Sequence, residues 1–109
     1  MMWPAWYSPP KAFPHRSATV HTMINLSAEL LGIKPGQIRG ESRCACPVSA
    51  RAAISIVLRE RGWSYARIGR ALGNRDHRTV MHAIETFPNR IRKYPEANEL
   101  LFVLRVLAA

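Results

Sequence analysis

Residues 64–87 read SYARIGRALGNRDHRTVMHAIETF, a stretch with signals for two helices and for a turn between them. Ser64 is a good N-cap for one short helix, and Asp76 is a good N-cap for a second. Between the two helices, Gly73 and Asn74 favour a tight turn, because both residue types tolerate a positive φ. Two short helices joined by a glycine-containing turn are typical of the helix-turn-helix, whose second helix enters the major groove of DNA.

The residues before this stretch predict another helix and a loop. Apolar residues recur at spacings of three and four from Ser17 onward, and Gly32 ends that pattern. Residues 33–40 can form at most one helical turn. Residues 41–46 follow as a polar, basic loop.

Prolines mark the bounds of the other helices. Pro47 or Ser49 opens a helix that runs through Arg61, and Pro88 ends the second helix of the helix-turn-helix. A last helix begins at Pro95, and its apolar residues are so dense that it must be buried or shared with a partner. These apolar residues are Leu100, Leu101, Phe102, Val103, Leu104, Val106 and Leu107. No strand pattern competes, so we expect an all-α, compact helical domain.

A Pro/Trp-rich N-terminal arm precedes this domain. Residues 1–16 read MMWPAWYSPPKAFPHR, a composition that disfavours helix and supplies several aromatic side chains. The aromatic residues either pack back on the domain or dock another protein. We therefore expect two parts, an arm over residues 1–16 and a DNA-binding domain over residues 17–109.

The net charge indicates a polyanionic partner. The chain carries 16 Lys and Arg against 7 Asp and Glu, a net charge of +9. Residues 41–80 hold eight cations and three anions, so their balance is +5. Concentrated basic charge on a small domain favours nucleic acid as the partner. Four arginines are expected to form a solvated basic face that attracts DNA without reading its sequence: Arg59, Arg61, Arg67 and Arg70.

Several function classes find no support in the sequence. No GxxxxGK[ST] or GxGxxG stretch is present to cradle a phosphate, so we expect no nucleotide cofactor. Cys44 and Cys46 are too close for a disulfide framework and lack further ligands nearby, so we expect free thiols and no metal. The histidines have no helpful nucleophile or carboxylate pair, so we expect no enzyme. Without a signal peptide or a membrane-length apolar run, we expect a cytoplasmic protein with no membrane partner.

The residues of the helix-turn-helix also resemble a known family. RIGRALGNRDHRTVMHAI, residues 67–84, is similar to the signature of the C-terminal DNA-binding domain (domain IV) of the bacterial replication initiator DnaA, G-[GN]-R-D-H-T-T-V-x-H-A. Upstream, SRCACPVSAR resembles the basic loop of that family and the arginine that opens its long helix. The resemblance covers residues from about 17 to 108, and the AAA+ module of the family is missing from these 109 residues.

The resemblance implies a role for each matching residue. Arg43 in the loop would enter the minor groove, and Arg51 at the helix start would grip a phosphate. Asp76 and His77 would read base edges in the major groove. Arg75 matches the signature as well.

Other positions add phosphate contacts or depart from the family pattern. Thr79 and His82 match residues that hold backbone phosphates, although His82 alone would be interpreted as a core histidine. Arg78 stands where the family has Thr, and an arginine prefers guanine or a phosphate to the methyl group of thymine. Tyr65 and Ala66 replace a Leu-Pro pair, and Tyr65 completes the set of candidate DNA contacts.

Two functions remain as hypotheses. The first is sequence-specific binding of double-stranded DNA at sites like the DnaA box (family consensus TTATCCACA) by a monomer that regulates replication or transcription without hydrolysing ATP. The alternative is an adaptor that recruits or sequesters a replication protein through the arm or the last helix.

Overall fold

A computed structural model describes residues 20–41 and 43–108 of the chain. Within these ranges there are six helices and no strand, which confirms the all-α prediction. In chain order the helices are α1 (Val20–Leu31), α2 (Pro35–Arg39), α3 (Ala45–Glu60), α4 (Tyr65–Ala71), α5 (His77–Lys93) and α6 (Glu96–Ala108). The predicted arm and residues 17–19, where the sequence pattern starts the first helix, lie outside the described residues.

Helix α3 lies at the centre of the domain and contacts each of the other five helices. Its packing surface includes small residues, Ala50, Ala52 and Ala53, whose side chains are fully buried. Small side chains let neighbouring backbones approach closely, so one helix can be surrounded on all sides. The inward residues predicted for this helix are all buried: Ala53, Ile54, Val57 and Leu58.

The dense apolar sequence of α6 is explained by its position against three helices, α1, α3 and α5. Most of its apolar side chains are buried, namely Leu100, Leu101, Val103, Leu104 and Leu107. The exceptions are Val106, which is half-buried, and Phe102, of which 42% is exposed. The prediction that this helix is buried is therefore confirmed for most of its circumference.

Two predicted helix bounds are wrong. Helix α3 begins at Ala45, with Cys44 as its N-cap, and not at Pro47 or Ser49. Pro47 is tolerated as the third helical residue, because the first N–H groups of a helix have no partner within it.

Helix α5 does not end at Pro88 but continues through it to Lys93. Pro88 itself is exposed, whereas Phe87 is buried and Ile91 packs against the core. Burial of apolar surface one turn further on offsets the backbone hydrogen bond that the proline removes. The helix ends where Tyr94 precedes Pro95, since a residue before proline disfavours helical backbone angles.

The turn of the helix-turn-helix is tightly packed. Gly73 and Asn74 both have positive φ, 91° and 59°. A Cβ atom at Gly73 would collide with the backbone carbonyl of Arg39, and one at Gly69 would collide with that of Arg75. The backbone N–H of Arg75 donates to the carbonyl of Gly69 at 2.8 Å, which fixes the start of α5 against α4.

Candidate nucleic-acid interface

The first turn of α5 presents its polar side chains to solvent. Oδ1 of Asp76 accepts a hydrogen bond from the backbone N–H of Arg78 at 2.9 Å, which confirms the predicted N-cap. The same carboxylate oxygen lies 3.1 Å from Nδ1 of His77. Both side chains remain more than half exposed, at 62% and 54%. Asp76 therefore orients the imidazole while both groups stay accessible to a ligand.

The outer face of α5 continues this polar surface. Arg78, Thr79 and His82 are all exposed. The exposure of His82 rules out the alternative of a core histidine. Met81 is also 36% exposed and places an apolar side chain among these polar groups.

A cleft of about 490 Å³ brings several predicted site residues together, and we call it the α3–α5 cleft. It is lined by the loop between α2 and α3, one face of α3, the turn between α4 and α5, and one face of α5. The predicted site residues among its lining are Arg43, Arg51, Arg75, Thr79 and His82. Arg90 adds a further guanidinium, and Glu41 contributes the only carboxylate among the lining residues. The cleft is therefore electropositive and suited to an anion.

Arg51 and Arg75 are tied to the end of α2. Nε of Arg51 donates to the carbonyl of Ile38 at 2.6 Å, and its Nη2 donates to those of Gln37 and Gly40 at 2.7 and 2.8 Å. Nη2 of Arg75 donates to the carbonyls of Ile38, at 3.3 Å, and Gly40. Sequence reasoning missed this structural role. A contact between Arg51 and a phosphate remains a prediction.

The environment of Arg51 and Arg75 lowers the pKa of both side chains. Burial, and then the charge of Arg75, lowers the pKa of Arg51 to about 10. Burial also lowers the pKa of Arg75, while the nearby Glu41 opposes that shift. Arg51 therefore stays charged at neutral pH and keeps its attraction for an anion.

A second cleft of about 400 Å³ adjoins the first, and we call it the distal cleft. Arg43, Thr86 and Arg90 line both clefts. The distal cleft is further lined by four residues that the α3–α5 cleft lacks, namely Ala45, Asn89, Lys93 and Tyr94. Sequence reasoning missed Arg90 and Lys93 because it ended the helix at Pro88. The spacing of four between Phe87 and Ile91 is the signal that could have found them.

The four arginines predicted for the basic face are all exposed, namely Arg59, Arg61, Arg67 and Arg70. The guanidinium of Arg59 lies over the ring of Tyr65, 4.4 Å from its centre, and that of Arg67 lies 3.7 Å from the ring centre of Trp63. These two arginines therefore stack on aromatic rings while remaining exposed to solvent. Tyr65 is half-buried and lies outside the α3–α5 cleft, so its contact with DNA remains a prediction.

Two other observations describe the surroundings of the site. Within the described ranges, no group of three His, Cys, Asp or Glu side chains is placed to hold a metal ion, and no helix is long and apolar enough to cross a membrane. Cys44 and Cys46 are not joined in a disulfide, and both are exposed.

Comparison with known proteins agrees with this geometry. The family model described as the bacterial dnaA protein helix-turn-helix matches residues 20–86, which is more than half of the chain. The match ends within α5, so the distal part of that helix and all of α6 lie beyond it. No solved structure matches the chain. The matched range includes α4, the first ten residues of α5 and the loop that carries Arg43. The chain belongs to the family of bacterial DnaA helix-turn-helix domains, which bind DNA.

Proposed function

We propose that this protein binds double-stranded DNA at specific sites that resemble the DnaA box, and that it regulates replication or transcription by occupying them. The observation that carries this proposal is the α3–α5 cleft, because it lies between two elements that fit two neighbouring grooves. One element is the exposed start of α5, and the other is the loop at Arg43.

The cleft fits the DNA strand that separates these grooves. If α5 enters the major groove and Arg43 enters the adjacent minor groove, the intervening sugar-phosphate backbone must pass through the cleft. Thr79 and His82 supply polar groups on one wall. Arg51 and Arg75 supply positive charge that their hydrogen bonds to α2 hold in place.

Sequence is read by the first turn of α5. Asp76 accepts hydrogen bonds, and His77 lies against it with more than half of its surface accessible. The side chain of Arg78 projects from the next position and favours guanine O6 and N7 or a phosphate. In this proposal these residues give specificity, and the cleft gives affinity.

The proposed site is used by one copy of the chain, which binds as a monomer in the cytoplasm at the nucleoid. The adaptor hypothesis, with a replication protein as partner, finds less support because the exposed polar and basic groups gather at α5 and its clefts.

A binding titration tests the proposed function. Labelled duplexes of equal length, one with TTATCCACA and one with those bases permuted, are titrated at several salt concentrations. We expect tighter binding to a box-like duplex, and a selection from a random pool should recover sites related to that box. Equal affinity for both duplexes, together with a pool that converges on no sequence, would overturn the proposal.

A further inference from the structure

We infer that the distal cleft is a second phosphate-binding surface, which extends the DNA contact past the bases that the first turn of α5 reads. This inference rests on the proposed function. Its residues Asn89, Arg90 and Lys93 lie on the part of α5 that follows Pro88, beyond the range matched by the family model.

The two clefts form one continuous surface along α5. Thr79, Thr86, Arg90 and Lys93 recur at spacings of seven, four and three, which places them on one face of the helix. Thr86 and Arg90 line both clefts, so no break separates the surface near the turn from the surface near Lys93. A DNA strand that lies in the α3–α5 cleft can therefore continue into the distal cleft.

The length of α5 explains why a phosphate would lie there. Seventeen residues span roughly 25 Å, whereas the major groove is only about 12 Å wide. A helix whose first turn reaches the base edges must leave the groove before its last turns. Where it leaves, it passes the sugar-phosphate backbone, so the distal residues can meet phosphates but not bases.

The charge of the distal cleft suits that ligand. Its lining includes Arg43, Arg90 and Lys93, and Asn89 and Tyr94 add polar groups. No carboxylate side chain is among the described residues that line it. Cations in the last turn of a helix also stabilise its negative end, whatever they bind. Any test must therefore separate a contact with DNA from this general effect.

Lys93 and Arg92 make a matched pair for that test. They are neighbours in the last turn of α5, and both are exposed, but only Lys93 lines the cleft. We would measure the salt dependence of binding to a 25-base-pair duplex for Lys93→Gln, Arg92→Gln and Arg90→Gln. Thermal melts of all three variants would report any change in stability.

We expect Lys93→Gln and Arg90→Gln each to lower the slope of log K against log salt by about 0.9, the value for one lost phosphate contact. Arg92→Gln should leave the slope close to that of the unchanged protein. On a duplex trimmed to the nine-base-pair box, Lys93→Gln should match the unchanged protein, because the distal phosphates are missing.

Two results would overturn the inference. One is an equal fall in slope for Lys93→Gln and Arg92→Gln, which would show general charge attraction. The other is an unchanged slope for Lys93→Gln, or an unchanged slope for Arg90→Gln. Failure of the proposed function is recognised separately, since the unchanged protein would then bind box and permuted duplexes equally.

Discussion

Arg51 of α3 and Arg75 at the start of α5 donate hydrogen bonds to the same carbonyl oxygen, that of Gly40. Two guanidinium groups thus converge at the end of α2, next to the loop that carries Arg43. The shared acceptor joins three parts of the DNA-binding surface, so the shape of the α3–α5 cleft depends on it.

The first prediction concerns the junction formed by the hydrogen bonds of Arg51 and Arg75 to the end of α2. Arg51→Lys keeps the positive charge but loses the planar fork that reaches three carbonyl oxygens. We expect it to lower the free energy of unfolding by ~1–3 kcal/mol, because three carbonyl acceptors, two of them in part-buried hydrogen bonds, lose their donors. We also expect weaker binding to box and permuted duplexes alike. Denaturant titration and DNA titration check the two effects, and Arg70→Lys, at an exposed position on α4, serves as the control.

An unchanged unfolding free energy for Arg51→Lys would show that the junction does not support the loop. A loss on the box duplex alone would show that Arg51 takes part in base recognition, contrary to the phosphate role expected for it.

The second prediction concerns His77. Because its side chain is exposed beside Asp76 at the first turn of α5, His77→Ala should weaken specific binding by ~1–3 kcal/mol. Binding to the permuted duplex should change little, since phosphate contacts carry nonspecific affinity. Competition titrations with both duplexes measure the difference. Equal losses on the two duplexes would contradict a base-reading role.

The third prediction concerns the departure from the family pattern at Arg78. Arg78→Thr should improve binding to TTATCCACA, because threonine offers a methyl group to thymine where arginine favours guanine. Arg78→Gln is the matched control, since it removes the charge without adding that methyl group. If neither variant changes the ranking of sites, Arg78 is a phosphate contact only.

The helix-turn-helix could be predicted from the sequence because its signals are local. Ser64 and Asp76 each accept a backbone hydrogen bond at the start of their helices, as residues of their type do at N-caps. The end of α5 could not be predicted in this way. It depends on Ile91 packing against the distant core, and a local rule about Pro88 contains no information on that burial.

In the candidate site, too, the features with local sequence signals could be predicted and those that depend on distant contacts could not. The signature around Asp76 and His77 marked the exposed first turn, and the structure brings Arg43 and Arg51 into one cleft with the residues of α5. The hydrogen bonds from Arg51 to Ile38 and Gly40 join residues more than ten positions apart, so no local pattern predicts them. The stacking of Arg59 on Tyr65 is similar, since it depends on how α3 and α4 meet.

The fourth prediction concerns Gly73 in the turn. Gly73→Ala forces a side chain into a positive φ, at a cost of ~1–2 kcal/mol, and also drives its Cβ into the carbonyl of Arg39. Gly32→Ala is the matched control, because its φ is also positive, at 68°, but nothing lies within 4 Å of the added atom. We expect a clearly larger fall in melting temperature for Gly73→Ala. Similar falls for both variants would show that the turn yields to the added atom without cost.

The fifth prediction concerns assembly and rests on α6. Phe102 is 42% exposed and Val106, one turn later, is half-buried, so the described part of the chain leaves an apolar strip uncovered. From the sequence, the aromatic residues of the arm are the partner we expect for it, and the chain should therefore sediment as a monomer. Removing residues 1–14 should lower the melting temperature and promote association.

Phe102→Ser should do the same to a smaller extent. The two changes together should lower the melting temperature by less than the sum of their separate effects, because they remove one shared contact. Additive losses of melting temperature would show that the arm packs elsewhere. A dimer of the intact chain, with a melting temperature that the deletion of residues 1–14 does not change, would show that a second copy covers Phe102.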